Sequence, residues 1–256
     1  LLGPSGHGKT SLLLQAQSAC SEQGMLTGWI SLDETDNDVR RFLGHLQEMV
    51  AGLRGASTPA AAAIAALGTS DIVSRTRWLV DQLISLGQPV ALFVDDVHSV
   101  SGRATLGFLR ELLASSPVGV RWFLASRVLP NIGVSRLVVN EQAIMIKAEE
   151  LCFSLSEMRR FFDRAQDVEV SDAELEAIHT VTEGWPAAVQ LYRLALGSPA
   201  VRASLTQGRV HHLRELADYL AENVLMQQDA SVQDFLLKTS VLSRMSGPLC
   251  NAVLGR

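Results

Sequence analysis

Apolar positions in the first 147 residues follow two alternating periods. In residues 11–23, Leu12, Leu13, Ala16, Ala19 and Cys20 fall on one helical face, and Gly24 ends that helix. Residues 29–32 form a short apolar run that reads as a strand. The acidic turn residues Asp36 and Asp38 then open a helix with Val39, Phe42, Leu43 and Leu46 facing inward. Residues 51–70, rich in Ala and Gly, stand between weak helix and linker. Ile72, Val73, Leu79, Val80, Leu83 and Ile84 mark a further helix, closed by Gly87 and Pro89. Residues 90–94 are continuously apolar, as in a parallel strand buried on both faces. Residues 121–125 and 144–146 are the remaining strand candidates. Strands alternating with helices predict a parallel sheet with helices on both faces.

After residue 149 the strand signal stops. Ser154 with Glu157, and Ser171 with Glu174, are capping-box pairs. The helices they open are expected to bury Met158, Phe161 and Phe162, then Leu175 and Ile178. Another helix follows Pro186 through Leu191 and Leu194. A longer one is expected over residues 211–226, with Leu213, Leu216, Leu220 and Val224 in register. The expected organisation is 1–149, 150–200 and 209–256, with boundaries near 149 and in 197–208. No internal repeat is visible.

Composition narrows the function classes. The chain has 256 residues, 47% hydrophobic and 19% charged, with ample apolar content for a core. Its formal charge of −5 gives no overall electrostatic footprint for DNA, and no local basic patch is evident. Cys20, Cys152 and Cys250 are far apart with no CxxC pair, which reads as reduced, buried thiols of a cytoplasmic protein. His211 and His212 are adjacent and point about 100° apart on a helix, so they make poor partners for one metal. Trp29, Trp78 and Trp122 read as core. No apolar run approaches the roughly 20 residues of a membrane span. Only Leu1 and Leu2 precede the first glycine, so the chain is expected to be a fragment with its first strand largely missing.

Three segments carry chemistry. Gly3-Pro4-Ser5-Gly6-His7-Gly8-Lys9-Thr10 matches G-x-x-x-x-G-K-[ST] in full, with an amphipathic helix directly behind it. Glycines let the backbone N–H groups turn toward phosphate at a helix N-terminus. Lys9 adds a full positive charge, and the Thr10 hydroxyl is an oxygen ligand for Mg²⁺. The expected phosphate-binding set is Gly3, Gly6, Gly8, Lys9, Thr10 and Ser11. Next, residues 91–94 end in Asp95 and Asp96. Beside a phosphate loop, Asp95 is the acid expected to hold Mg²⁺ through its water shell, and Asp96 the group that orients or deprotonates water. Without that loop the pair would be only a strand meeting a turn. Third, residues 122–125 end in Ser126 and Arg127, at the strand end where open α/β sheets place ligands. Arg127 is the expected γ-phosphate sensor, or else a solvated arginine at a loop start.

The order of these motifs resembles the MalT-like signal-transduction ATPases, LuxR-type transcription activators of the STAND class. The phosphate loop, the run Ser31-Leu32-Asp33-Glu34-Thr35-Asp36-Asn37-Asp38, the segment Val94-Asp95-Asp96-Val97-His98 and Ser126-Arg127-Val128-Leu129-Pro130 carry the likeness. It continues through Glu183-Gly184-Trp185-Pro186 and residues 219–225 to 235–242. The resemblance implies a P-loop NTPase sheet, then an all-helical lid, then a partial winged-helix domain. It implies ATP or ADP with Mg²⁺ as cofactors, self-association in the ATP state, and slow hydrolysis that resets the switch. DNA contact would come only from a C-terminal helix-turn-helix outside this chain, and an inducer of unknown identity would act through a sensor also outside it. Trp185 and Pro186 match the family's Gly-x-Pro lid segment, where the proline packs near adenine. The family usually has Ala at the position of Pro186 and Tyr at that of Val97; Pro186 is equally explained as the first residue of a helix. The Asp33–Asp38 cluster is either a helix cap or a nucleotide contact. The competing function is a nucleotide-gated assembly scaffold that scarcely hydrolyses ATP and has no transcriptional role.

Overall fold

Three parallel strands, β1 (Leu26–Ser31), β2 (Val90–Asp95) and β3 (Val120–Leu124), form a sheet in the order β1-β2-β3 in a computed structural model of the chain. Residues 1–53, 72–165, 168–196, 202, 225–226, 228–242 and 245–255 are described. They fall into two compact units, Leu1–Cys152 and Phe153–Arg256.

β2 is central and buried at every position, which is why its sequence shows no polar alternation. Its side chains still alternate. Val90, Leu92 and Val94 enter a core with Phe42, Leu43 and Leu46 of α2 (Val39–Gly52), Leu79 and Leu83 of α3 (Ile72–Ser85), and Phe108, Leu109 and Leu112 of α4 (Arg103–Ala114). Ala91 and Phe93 point to the other face, against Leu13 and Cys20 of α1 (Lys9–Glu22). On that face Phe93 stacks between Trp29 at 5.9 Å and Phe123 at 4.6 Å, an aromatic row across three strands in register. Leu2 extends the sheet by one parallel bridge to Ser126, beyond β3.

Several expectations need correction. Ala19 is exposed; Lys9, Leu13 and Cys20 are the buried residues of α1, with Leu12 and Ala16 half-buried. Residues 144–146 form no strand. Leu2 N–H donates to Ile146 O at 2.8 Å. Helix α4 and the short α5 (Val134–Val139) add to the predicted elements, although Thr105, Phe108, Leu109 and Leu112 have helical spacing. Trp29, Trp78 and Trp122 are half-buried at the core margins, and so is Cys152. Asp38 caps α2 through Arg40 N–H, whereas Asp36 lies in a 3-10 turn, Glu34–Asn37, before it. Most of the ambiguous stretch 51–70, most of the boundary region 197–208 and most of the expected helix 211–226 lie outside the described residues.

In the second unit, α7 (Leu155–Ala165), α8 (Asp172–Thr182) and α9 (Pro186–Ala195) enclose Met158, Phe162, Leu175, Ile178, Val189 and Tyr192. A single turn, α6 (Ala148–Leu151), precedes them in the first unit. Leu194 faces solvent, and Val189 and Tyr192 supply the buried stripe of α9. α10 (Ala230–Thr239) and α11 (Gly247–Leu254) pack together further on.

Two expected outcomes test this packing. Gly184 lies at φ +75°, and a Cβ there would sit 2.1 Å from Phe153 O. Gly184→Ala should cost at least about 2 kcal/mol, from left-handed strain plus the clash, measured by urea unfolding. The Glu174 carboxylate accepts Ser171 N–H at 2.9 Å and Ser171 Oγ–H at 2.8 Å and pairs with Arg202 at 3.1 Å, and these bonds hold its pKa below the usual glutamate value. A depressed carboxyl stabilises the fold above its unfolded-state pKa and loses that contribution as pH falls through the folded value. Glu174→Gln should therefore lower stability by about 1 kcal/mol at neutral pH and converge with the parent in acid.

Candidate functional site

The glycine loop delivers its chain into the N-terminus of α1. Gly6 and Gly8 adopt φ +76° and +72°, and Gly8 is the residue that enters the helix. Left-handed backbone at both points lets successive N–H groups face one concavity. The loop is tied to the sheet at its base: Gly3 N–H donates to Ser126 O at 3.2 Å, and Ser126 N–H donates to Leu1 O at 3.0 Å. Lys9 is buried, and its Nζ donates to Gly3 O at 2.7 Å and Pro4 O at 2.8 Å. Burial and the nearby Arg127 hold the Lys9 ammonium below its usual pKa, with Asp95 and Asp96 pulling the other way.

Asp95 is the last residue of β2 and is buried. Thr10 Oγ–H donates to its Oδ2 at 2.6 Å, and Asp96 N–H donates to its Oδ1 at 2.8 Å. Asp96 sits half-exposed in a left-handed conformation, φ 53°. The loop behind it is fixed by Val97 N–H to Ala125 O at 3.0 Å and by Ala125 N–H to Val94 O at 3.0 Å. Val97, where the family usually has Tyr, is fully buried. His98 follows in a 3-10 turn, its Nδ1 3.7 Å from Asp96 Oδ1. Burial, then Arg127, pushes the His98 pKa down. Arg127 is half-buried and its charge reaches both Lys9 and His98.

The structure therefore brings together Gly3, Gly6, Gly8, Lys9, Thr10, Asp95, Asp96 and Arg127 at the carboxyl edge of the sheet. Ser11 is exposed near the start of α1. Trp185 and Pro186 belong to the second unit, as the cap and first residue of α9, and Trp185 N–H donates to Thr182 O at 2.8 Å. His98 belongs to the segment Val94–His98 that carries the family likeness, but no spacing rule gives it a role.

The acidic run after β1 is engaged locally. Asp33 accepts Thr35 N–H, and Asp36 accepts Asp33 N–H and lies 2.8 Å from His45 Nδ1. Asn37 Oδ1 accepts Ser101 N–H and Gly102 N–H, at 2.9 and 2.6 Å. These bonds tie the loop after β1 to the loop after β2.

The donor set fits a nucleotide triphosphate and Mg²⁺. An ammonium and the leading N–H groups of a 14-residue helix suit phosphate oxygens. A hydroxyl and a carboxylate in contact offer two hard oxygens, as many as Mg²⁺ commonly takes from protein when phosphates complete its shell. Among the described residues no group of three or more His, Cys, Asp or Glu could hold a metal by itself. Nor, among them, is any helix long and apolar enough to cross a membrane.

Comparison with known proteins bears on the family and the fold. Residues 221–256 match the MalT winged helix domain. Over 98% of its length the chain is 30% identical to the HTH-type transcriptional regulator MalT of Yersinia enterocolitica, and it spans 28% of that relative. Among solved structures, the Aeropyrum pernix ORC1 protein in complex with DNA is 16% identical with a TM-score of 0.50, over 94% of this chain and 65% of that one. A mutant RuvB of Thermotoga maritima is 17% identical with a TM-score of 0.45, over 100% and 73%. The chain is MalT-like along 98% of its length, with a P-loop ATPase fold at its start and a MalT winged-helix portion at its end.

Proposed function

We propose that this chain is the ATP-binding, slowly hydrolysing switch of a bacterial transcription activator, in which the bound nucleotide gates self-assembly. The observation that carries the reading is the 2.6 Å hydrogen bond from Thr10 to Asp95, at the mouth of a full phosphate loop. It supports the reading because the Thr10 hydroxyl, the expected Mg²⁺ ligand, lies beside Asp95, the acid expected to hold Mg²⁺ through its water shell. Mg²⁺ held there would neutralise charge on the phosphate oxygens. Gly6, Gly8, Ser11 and the backbone at the start of α1 then orient phosphate, and Lys9 exchanges its bonds to Gly3 O and Pro4 O for phosphate oxygens. Asp96 directs water, and Arg127 reads the γ-phosphate. The Yersinia relative is an HTH-type transcriptional regulator, which supports the transcriptional role and a DNA-binding element elsewhere in the protein.

Lys9→Ala should weaken ATP at least tenfold by calorimetry, about 1.4 kcal/mol, while the fold survives. Asp95→Asn should lower Mg²⁺-dependent turnover more than tenfold and shift ATP affinity far less, about threefold at most. Equal ATP affinity in Lys9→Ala and the parent would refute the site. ATP binding without turnover in the parent would leave an assembly scaffold instead of an ATPase switch.

Trp185 and Pro186 are proposed to close on the adenine as part of a lid over residues 150–200. A ligand shifts such an equilibrium only by its differential affinity for the closed form. ADP should then raise the melting temperature and change Trp fluorescence, and Trp185→Phe should remove a large part of that change. An identical change in Trp185→Phe would show that the segment is an ordinary helix start.

A further inference from the structure

His98 Nδ1 is buried and makes no hydrogen bond, although imidazole nitrogens in protein interiors normally do. The nearest acidic oxygen is Asp96 Oδ1 at 3.7 Å, just beyond hydrogen-bond reach. His98 itself cannot retreat. Its turn is held by Ser99 N–H to Asp96 O at 2.9 Å, by Val100 N–H to Val97 O at 3.2 Å, and by Val97 N–H to Ala125 O. Asp96 is the movable partner. Its side chain is 47% exposed against 18% for His98, so it is the less confined of the two. Asp96 also occupies a left-handed backbone conformation, φ 53° and ψ 38°, uncommon for a non-glycine residue although aspartate tolerates it better than most.

We propose that His98 is a positioning residue for Asp96, its buried Nδ1–H holding the carboxylate in the orientation from which it directs the attacking water. The inference rests on the reading of Asp96 as the water-directing group. In that step the water oxygen bonds the γ-phosphorus, and the bond to the β–γ bridging oxygen breaks with its electron pair left on ADP. The water proton passes to Asp96 and then to bulk solvent. Burial and the charges of Arg127 and Lys9 keep the imidazole neutral at neutral pH. A neutral donor orients the carboxylate without cancelling the charge that makes it a base. The hydrogen bonds that fix Thr10 and Asp95 do not involve His98, so its effect should appear in turnover and not in nucleotide affinity.

The test measures kcat, KM and ADP affinity in the full chain for His98→Ala, His98→Asn, His98→Gln, Asp96→Asn and the double variant His98→Ala with Asp96→Asn. His98→Ala should lower kcat about tenfold and leave KM and ADP affinity within about twofold. His98→Asn, whose amide nitrogen reaches the place of Nδ1, should recover part of the loss. His98→Gln, whose amide lies nearer the place of Nε2, should not. In the Asp96→Asn background His98→Ala should cost nothing more, because the two residues act as one unit. If His98→Ala does not fold, the contrast between His98→Asn and His98→Gln decides. Unchanged kcat in His98→Ala, equal kcat in His98→Asn and His98→Gln, or losses that multiply in the double variant would overturn the inference while leaving Asp96 in its role. Unchanged turnover in Asp96→Asn would instead overturn the reading of Asp96 and the inference with it.

Discussion

The hydrogen bond between Thr10 and Asp95 joins residues 85 apart in the chain, and much of the first unit is arranged so that it can form. Asp95 must arrive at the end of a strand that is buried on both faces, since only a central strand is held rigidly enough to present a carboxylate at one point. Thr10 must arrive at the second residue of a helix packed on that same strand. Leu13 and Cys20 of α1 against Ala91 and Phe93 of β2 supply that packing. The alternation of β2 then sends Asp95 to the face shared by Ala91 and Phe93, the face on which α1 lies. A one-residue slip in the strand would turn the acid into the core of α2, α3 and α4, where a carboxylate has no partner.

Around that bond, main-chain contacts do most of the fixing. Ser126 holds both Leu1 and Gly3, so the end of β3 anchors the beginning of the phosphate loop. Ala125 bonds to Val94 and Val97, so the same strand end anchors the loop that carries Asp96 and His98. Asn37 ties the loop after β1 to Ser101 and Gly102. Backbone bonds of this kind tolerate changes of side chain, which accounts for a buried valine at position 97 without disturbance of the acid pair. Arg127 follows directly on the anchor residue, so the expected sensor is positioned by the strand that also holds the loop base.

The second unit obeys simpler rules. Two capping boxes set the starts of α7 and α8, and Gly184 lets the chain turn against the backbone of Phe153 before α9 begins at Pro186. The glycine of the Glu-Gly-Trp segment is thereby explained by packing alone: Phe153 N–H donates to Gly184 O at 2.8 Å, and no side chain fits between them. Its neighbour Trp185 is under no such constraint from the helix start, since any residue with an extended backbone can precede Pro186.

By itself the sequence determined the local and periodic features. The eight-residue phosphate loop, the apolar run before Asp95 and Asp96, the capping pairs Ser154–Glu157 and Ser171–Glu174, and most inward positions of α2 and α7 were legible, because each depends on neighbours a few residues away. The helical spacing of Thr105, Phe108, Leu109 and Leu112 was also present and passed unread. Tertiary structure decided what depends on distant partners. Residues 144–146 have strand composition but form no strand, and pairing of that kind depends on a partner segment remote in the sequence. Ala19 has the right period but faces solvent, and which of the periodic positions are covered is set by the sheet beneath the helix. His98 stands in a segment that carries the family likeness, but its burial beside a half-exposed Asp96 is legible only in the fold. Hydrogen bonding and burial between remote segments are properties of the fold, and no spacing within one segment encodes them.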